Sequence, residues 1–135
     1  MKKFYFVLFF LITSLTSCFG QLSAADLKKK SVQRELLKEY YLCVCITEAF
    51  KDKHISDDDI SQSVYFDILS YSPEAFEVVK DSAIKFVETI MEPSPNIHDH
   101  DTGNKRAVIM RCIEKYKSKD TKKFIKSLDK YYLKD

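Results

Sequence analysis

The chain has 135 residues, 22 Lys and Arg against 20 Asp and Glu, two glycines, three prolines and no Trp. That length suits one domain with its own core, and so little Gly and Pro argues against a turn-rich β-sandwich and for helices. The excess of two positive charges lies in Lys2 and Lys3, so the remainder is balanced and lacks the basic footprint that nucleic acid binding requires.

The N-terminus opens with Met1, Lys2 and Lys3 and continues as an unbroken apolar run from Phe4 to Ile12. A basic start followed by a short apolar core predicts a secretory signal peptide over residues 1–18, too short to span a bilayer, with a helical body over 19–135. Two processing routes are open. Leu15-Thr16-Ser17-Cys18 has the form of a lipobox, in which Cys18 would carry lipid; the alternative is cleavage near Gly20 or Ala24. Either route takes the body out of the cytoplasm to an oxidising compartment, where disulfides persist.

Ser23 and Asp26 form a capping box that starts a first helix. From Val32, apolar residues recur at three and four positions through Leu37, Tyr41, Val44, Cys45 and Ile46, which predicts one long helix ending near Phe50. A polar turn follows at residues 51–54. Ser56 and Asp59 form a second capping box, Ile55 and Ile60 a staple, and the helix they start runs through Val64, Ile68 and Leu69. Asp57, Asp58 and Asp59 are explained by the positive end of that helix without invoking a metal. A third start comes at Ser72 and Pro73, with Tyr71 stapled to Phe76 and a stripe from Phe76 to Ile90.

Periodicity then stops. Residues 92–104 read Glu-Pro-Ser-Pro-Asn-Ile-His-Asp-His-Asp-Thr-Gly-Asn. This is long for a helix–helix connection, and loops of that length are more often functional than idle. His98 and His100 with Asp99 and Asp101 are the one cluster resembling metal ligands; the other readings are a polar exposed loop and a loop that enters a partner's cleft. A fourth helix carries Val108, Ile109, Cys112, Ile113 and Tyr116. A turn follows at 117–120, and a fifth helix carries Phe124, Ile125, Leu128, Tyr131 and Tyr132.

Cys43 and Cys45, two apart on one helix, point to nearly opposite sides, so only one of them can meet Cys112. The more apolar edge, Val44-Cys45-Ile46, favours a Cys45–Cys112 staple and leaves Cys43 free, buried or intermolecular. Three cysteines on helices do not match zinc-finger spacing, and no motif ties a histidine to a cysteine as a nucleophilic pair. Phosphate-loop, nucleophile-elbow, His-Glu-x-x-His and Cys-x-x-Cys patterns are absent from the sequence. The expected fold is all-α: a small bundle of about five helices stapled by that disulfide.

Three motifs stand in order along this body. They are Cys45-Ile46-x-x-Ala49-Phe50; Tyr65-Phe66-Asp67-Ile68 followed by Ser72-Pro73-Glu74-Ala75-Phe76-Glu77; and Met110-Arg111-Cys112-Ile113-Glu114-x-Tyr116, with Ser118, Lys119 and an ending from Leu128 to Tyr131. In order and spacing they resemble the immunity proteins that neutralise type VI-secreted peptidoglycan amidases, the fourth amidase immunity family. The resemblance implies an all-helical, non-enzymatic inhibitor secreted to the periplasm, usually a homodimer; no cofactor is expected. Its target would be a papain-like Cys-His amidase whose cleft is blocked by a protruding loop. On this chain that loop is 92–104, with Ile97, His98, Asp99, His100 and Asp101 as the contact residues. Cys43 and the His-Asp-His-Asp composition depart from the family's pattern. Two readings from other classes stand beside it: a metal-binding envelope protein using His98 and His100, and a non-enzymatic envelope adaptor lipoprotein.

Overall fold

The computed structural model describes residues 24–53, 59–91 and 107–133. In chain order these form α1 (Ala24–Leu27), α2 (Lys30–Ala49), a 3-10 turn (Lys51–Lys53), α3 (Ser61–Ile68), α4 (Pro73–Met91), α5 (Val108–Lys117), α6 (Lys119–Ser127) and a closing 3-10 turn (Leu128–Tyr131). Among the described residues there is no strand, only one antiparallel bridge between Tyr71 and Tyr132. The all-α bundle expected from periodicity is present.

α2 is the hub, and α3, α4, α5 and α6 all pack on it. Its buried residues are Gln33, Leu36, Leu37, Tyr40, Tyr41, Val44 and Cys45. At 100° per residue they cover about half the helix circumference, which is why one helix serves several neighbours. Tyr40 meets Phe76 edge-on with ring centroids 5.2 Å apart, and Phe66 lies 4.4 Å from Phe76. Burial pushes the phenols of Tyr40 and Tyr41 up to about 12, so both are neutral core groups. The Cys45–Cys112 disulfide joins α2 to α5, with Cα atoms 5.9 Å apart and both cysteines fully buried.

Several local expectations are corrected. The helix expected from Ser56 begins instead at Ser61, where the Asp59 carboxylate accepts from the Ser61 N–H at 3.0 Å and from its hydroxyl at 2.6 Å. Asp59 closes the start, and Ile60 is left 73% exposed rather than packed as a staple; Ile55 and Ser56 lie outside the described residues. At the other end Leu69 has left the helix for extended backbone. The turn expected over 117–120 contracts to Ser118 alone. Its N–H closes α5 on the Lys115 carbonyl, and its hydroxyl oxygen opens α6 by accepting from the Thr121 N–H at 3.1 Å. One extended residue thus makes the corner. The fifth helix breaks at Leu128 into a 3-10 turn, because Tyr131 and Tyr132 are drawn to the segment before α4. There the Ser72 N–H donates to the Tyr131 carbonyl and the Leu133 N–H to the Ser70 carbonyl, each at 2.9 Å. Tyr71 accordingly stacks edge-on against Tyr132, at 5.4 Å, while Phe76 joins Tyr40 and Phe66.

Candidate functional site

Residues 92–106, which include Ile97, His98, Asp99, His100 and Asp101, lie outside the described residues, as does Cys18. The structure does describe the frame that delivers the loop. α4 ends at Met91 and α5 begins at Val108. One turn back from Met91, Val87 is buried; Val108 is buried as well. One turn beyond Val108 lies Cys112, covalently tied to α2. Lys115 sits over the Phe86 ring, 5.5 Å from its centroid, and adds a second tie between α5 and α4. The Arg111 N–H donates to the Ala107 carbonyl at 3.0 Å, so the first turn of α5 is closed at the point where the loop returns. Around this base Met91, Ile109 and Met110 are 44%, 49% and 56% exposed. The described residues on either side of 92–106 thus stand on packed helices, with Met91, Ile109 and Met110 exposed beside them.

The second feature is a groove of about 320 Å³ between α2 and α3, lined by Leu36, Glu39, Cys43, Ser61, Val64, Tyr65 and Ile68. Cys43 is the one free cysteine among the described residues and is half-buried. Its thiol is held above its ordinary range first by burial and then by the negative charge of Asp59 and Glu39, against a hydrogen bond with the Tyr65 hydroxyl. The Tyr65 hydroxyl donates to Glu39 Oε2 at 3.2 Å. Burial above all, then Cys43 and Glu39, hold the Tyr65 phenol well above the usual range. Burial and the neighbouring negative charges thus hold the Cys43 thiol protonated beside the Tyr65 phenol and the Glu39 carboxylate. Among the described residues no group of three His, Cys, Asp or Glu side chains is placed to hold a metal ion; His98 and His100 are outside that set.

Two polar devices were not anticipated from sequence. Gln33 is 1% exposed and acts as a clamp: its Nε2 donates to the Leu27 carbonyl at 2.8 Å and to the Ile68 carbonyl at 3.0 Å, while its Oε1 accepts from the Ser70 N–H at 2.6 Å. The signal was available, since Gln33, Leu37, Tyr40 and Val44 share one helical face. Arg34 grips Asp129 with both Nε and Nη2, and Lys30 approaches the same carboxylate at 3.4 Å. This pair, 95 positions apart, seals the C-terminal turn onto α2.

Residues 35–125 match the Tai4 family, type VI secretion system (T6SS) amidase immunity protein, over about two thirds of the chain. The match runs from α2 through Ile125 near the end of α6, and so includes the disulfide, the groove and the loop with both its roots. No curated protein and no solved structure shows significant similarity to the chain.

Proposed function

The chain belongs to the T6SS amidase immunity family, and on that premise we propose that it is exported to the periplasm, binds a type VI-delivered peptidoglycan amidase and blocks the enzyme's cleft with residues 92–104. The observation that carries this reading is the rooting of that loop. Its two ends leave α4 and α5, and α5 is covalently fastened to the central helix one turn from the loop's return. An inhibitor of this kind does no chemistry. It excludes substrate, and its affinity depends on how little order the loop must gain on binding. Pro93 and Pro95 restrict the loop's outgoing limb, and the disulfide-fastened frame restricts its base, so both lower that cost.

In this reading Ile97 supplies the apolar contact. His98, Asp99, His100 and Asp101 meet the polar Cys-His centre of a papain-like amidase. Met91, Ile109 and Met110 form the apolar ring that the rim of the cleft covers. The inhibitor works as a homodimer. The test is direct: purified chain is titrated into a type VI amidase acting on cross-linked peptidoglycan peptides. Stoichiometric loss of peptide cleavage is expected, whereas full cleavage in the presence of excess chain overturns the reading.

A further inference from the structure

Charge is distributed unevenly over this nearly neutral protein. Residues 59–91 hold six acids against two bases, and residues 107–133 hold eight bases against three acids. In the basic half Glu114 pairs with Arg111, and Asp129 is taken by Arg34 and Lys30. That leaves Asp120 as the one acid on α6. Lys119, Lys122, Lys123 and Lys126 are exposed, and they recur at three and four positions, so they form one stripe opposite the buried Thr121 and Ile125. None of the four makes an ion pair among the described residues. The stripe does not serve the helix either. Lys119 and Lys122 stand in the first turn, where the helix dipole disfavours cations.

The position of the chain's beginning gives the stripe a direction. Beyond Lys126 the helix runs into Asp129, which Lys30 approaches, and the Tyr132 hydroxyl donates to the Lys28 carbonyl at 3.1 Å. The start of α2 therefore lies at the C-terminal end of the stripe, and 23 further residues precede α1, with an apolar run and Cys18 among them. Ala24 lies six positions after Cys18, a reach of about 20 Å at full extension.

We propose that Lys119, Lys122, Lys123 and Lys126 seat the exported protein on an anionic phospholipid surface, with the acidic half facing away from it. The proposal rests on the export reading but not on amidase inhibition. A basic stripe is drawn to anionic headgroups whether or not a lipid tail is present. Near such a surface each lysine strengthens binding by about fivefold, within a Debye length of roughly 8–10 Å.

The test uses the mature exported protein in sedimentation with vesicles of phosphatidylglycerol and phosphatidylcholine, against phosphatidylcholine alone, at about 50 mM and 500 mM salt. Binding is expected to favour the anionic vesicles and to weaken at high salt. It should drop at least tenfold in the quadruple Lys119→Gln/Lys122→Gln/Lys123→Gln/Lys126→Gln variant, on the order of the fivefold contribution per lysine. A Lys→Arg quadruple should retain it, as should Lys80→Gln/Lys85→Gln in the acidic half. A lipid tail would add a salt-insensitive component equally to every variant. Equal binding by wild type and the Gln quadruple overturns the proposal. So does a Gln quadruple that loses amidase binding while its vesicle binding is unchanged, which would assign the stripe to a protein partner. Loss of vesicle binding with intact inhibition supports the proposal and leaves the inhibitory reading standing.

Discussion

Opening the Cys45–Cys112 bond is the perturbation with the largest effect that can be worked from the structure. The bond closes a loop of 67 positions between two fully buried cysteines. Chain-entropy reasoning for a loop of that size gives about 4 kcal/mol at 25 °C. A domain of this size typically has about 5–15 kcal/mol in all, so the bond represents a large share of the total. Converted at roughly 3–6 °C per kcal/mol, its loss lowers Tm by about 10–25 °C. Comparing oxidised with reduced wild type avoids the cavity that a Cys→Ala change would leave beside Val44. Circular dichroism melts and urea titrations of both forms, with thiols blocked after reduction, measure the difference. A Tm drop of less than about 3 °C, under 1 kcal/mol, would refute the assignment of the bond as the main restraint on the bundle. Because α5 also roots the loop, the reduced form should inhibit amidase less well at temperatures where it is still folded.

Three further outcomes are expected. Gln33→Leu removes partners from the Leu27 and Ile68 carbonyls and the Ser70 N–H at a buried site. It should cost about 2–3 kcal/mol in urea unfolding, the penalty for stranding buried polar groups. Asp129→Asn should cost about 1 kcal/mol and should also change the acid response. The hydrogen bond from Arg34, above all, holds the Asp129 carboxyl below its ordinary range. A depressed folded pKa means this stabilisation is complete above about pH 4 and is lost as pH falls through the lower folded value. Wild type should therefore show an acid-dependent loss as pH falls below about 4 that the Asn variant lacks, read by chemical denaturation at falling pH. Finally, Cys43 should react with a thiol reagent at pH 7 far more slowly than in the unfolded chain, since burial, first among its causes, holds the thiol protonated.

How much was legible in the sequence follows from which forces act locally. α2 and α4 were readable because each carries a broad apolar stripe and, for α4, Pro73 at its first position. The disulfide was readable because two residues two apart on a helix point to nearly opposite sides, and Val44 and Ile46 marked which side is core. What failed were choices between competing local partners and choices made by distant ones. Locally, Asp59 accepts from the Ser61 N–H and the helix starts there rather than at Ser56. The last helix broke because the backbones of Ser70 and Ser72 compete for Tyr131 and Leu133. Gln33 shares a face with Leu37, Tyr40 and Val44, but the three main-chain groups that meet on it come from other segments. The Cys43 groove left no pattern in sequence, since its walls come from α2 and α3 and only packing joins them. The segment that holds Pro93, Pro95 and Gly103 lies outside the described residues.

The most direct measurement of the central claim replaces residues 97–101 with a Gly-Ser segment of equal length and follows both Tm and inhibition of the amidase. An unchanged melting profile with inhibition lost by at least a hundredfold, about 2.7 kcal/mol, is the predicted result. Inhibition equal to wild type by a folded variant would contradict the account, because the enzyme would then be blocked by some other surface of the bundle.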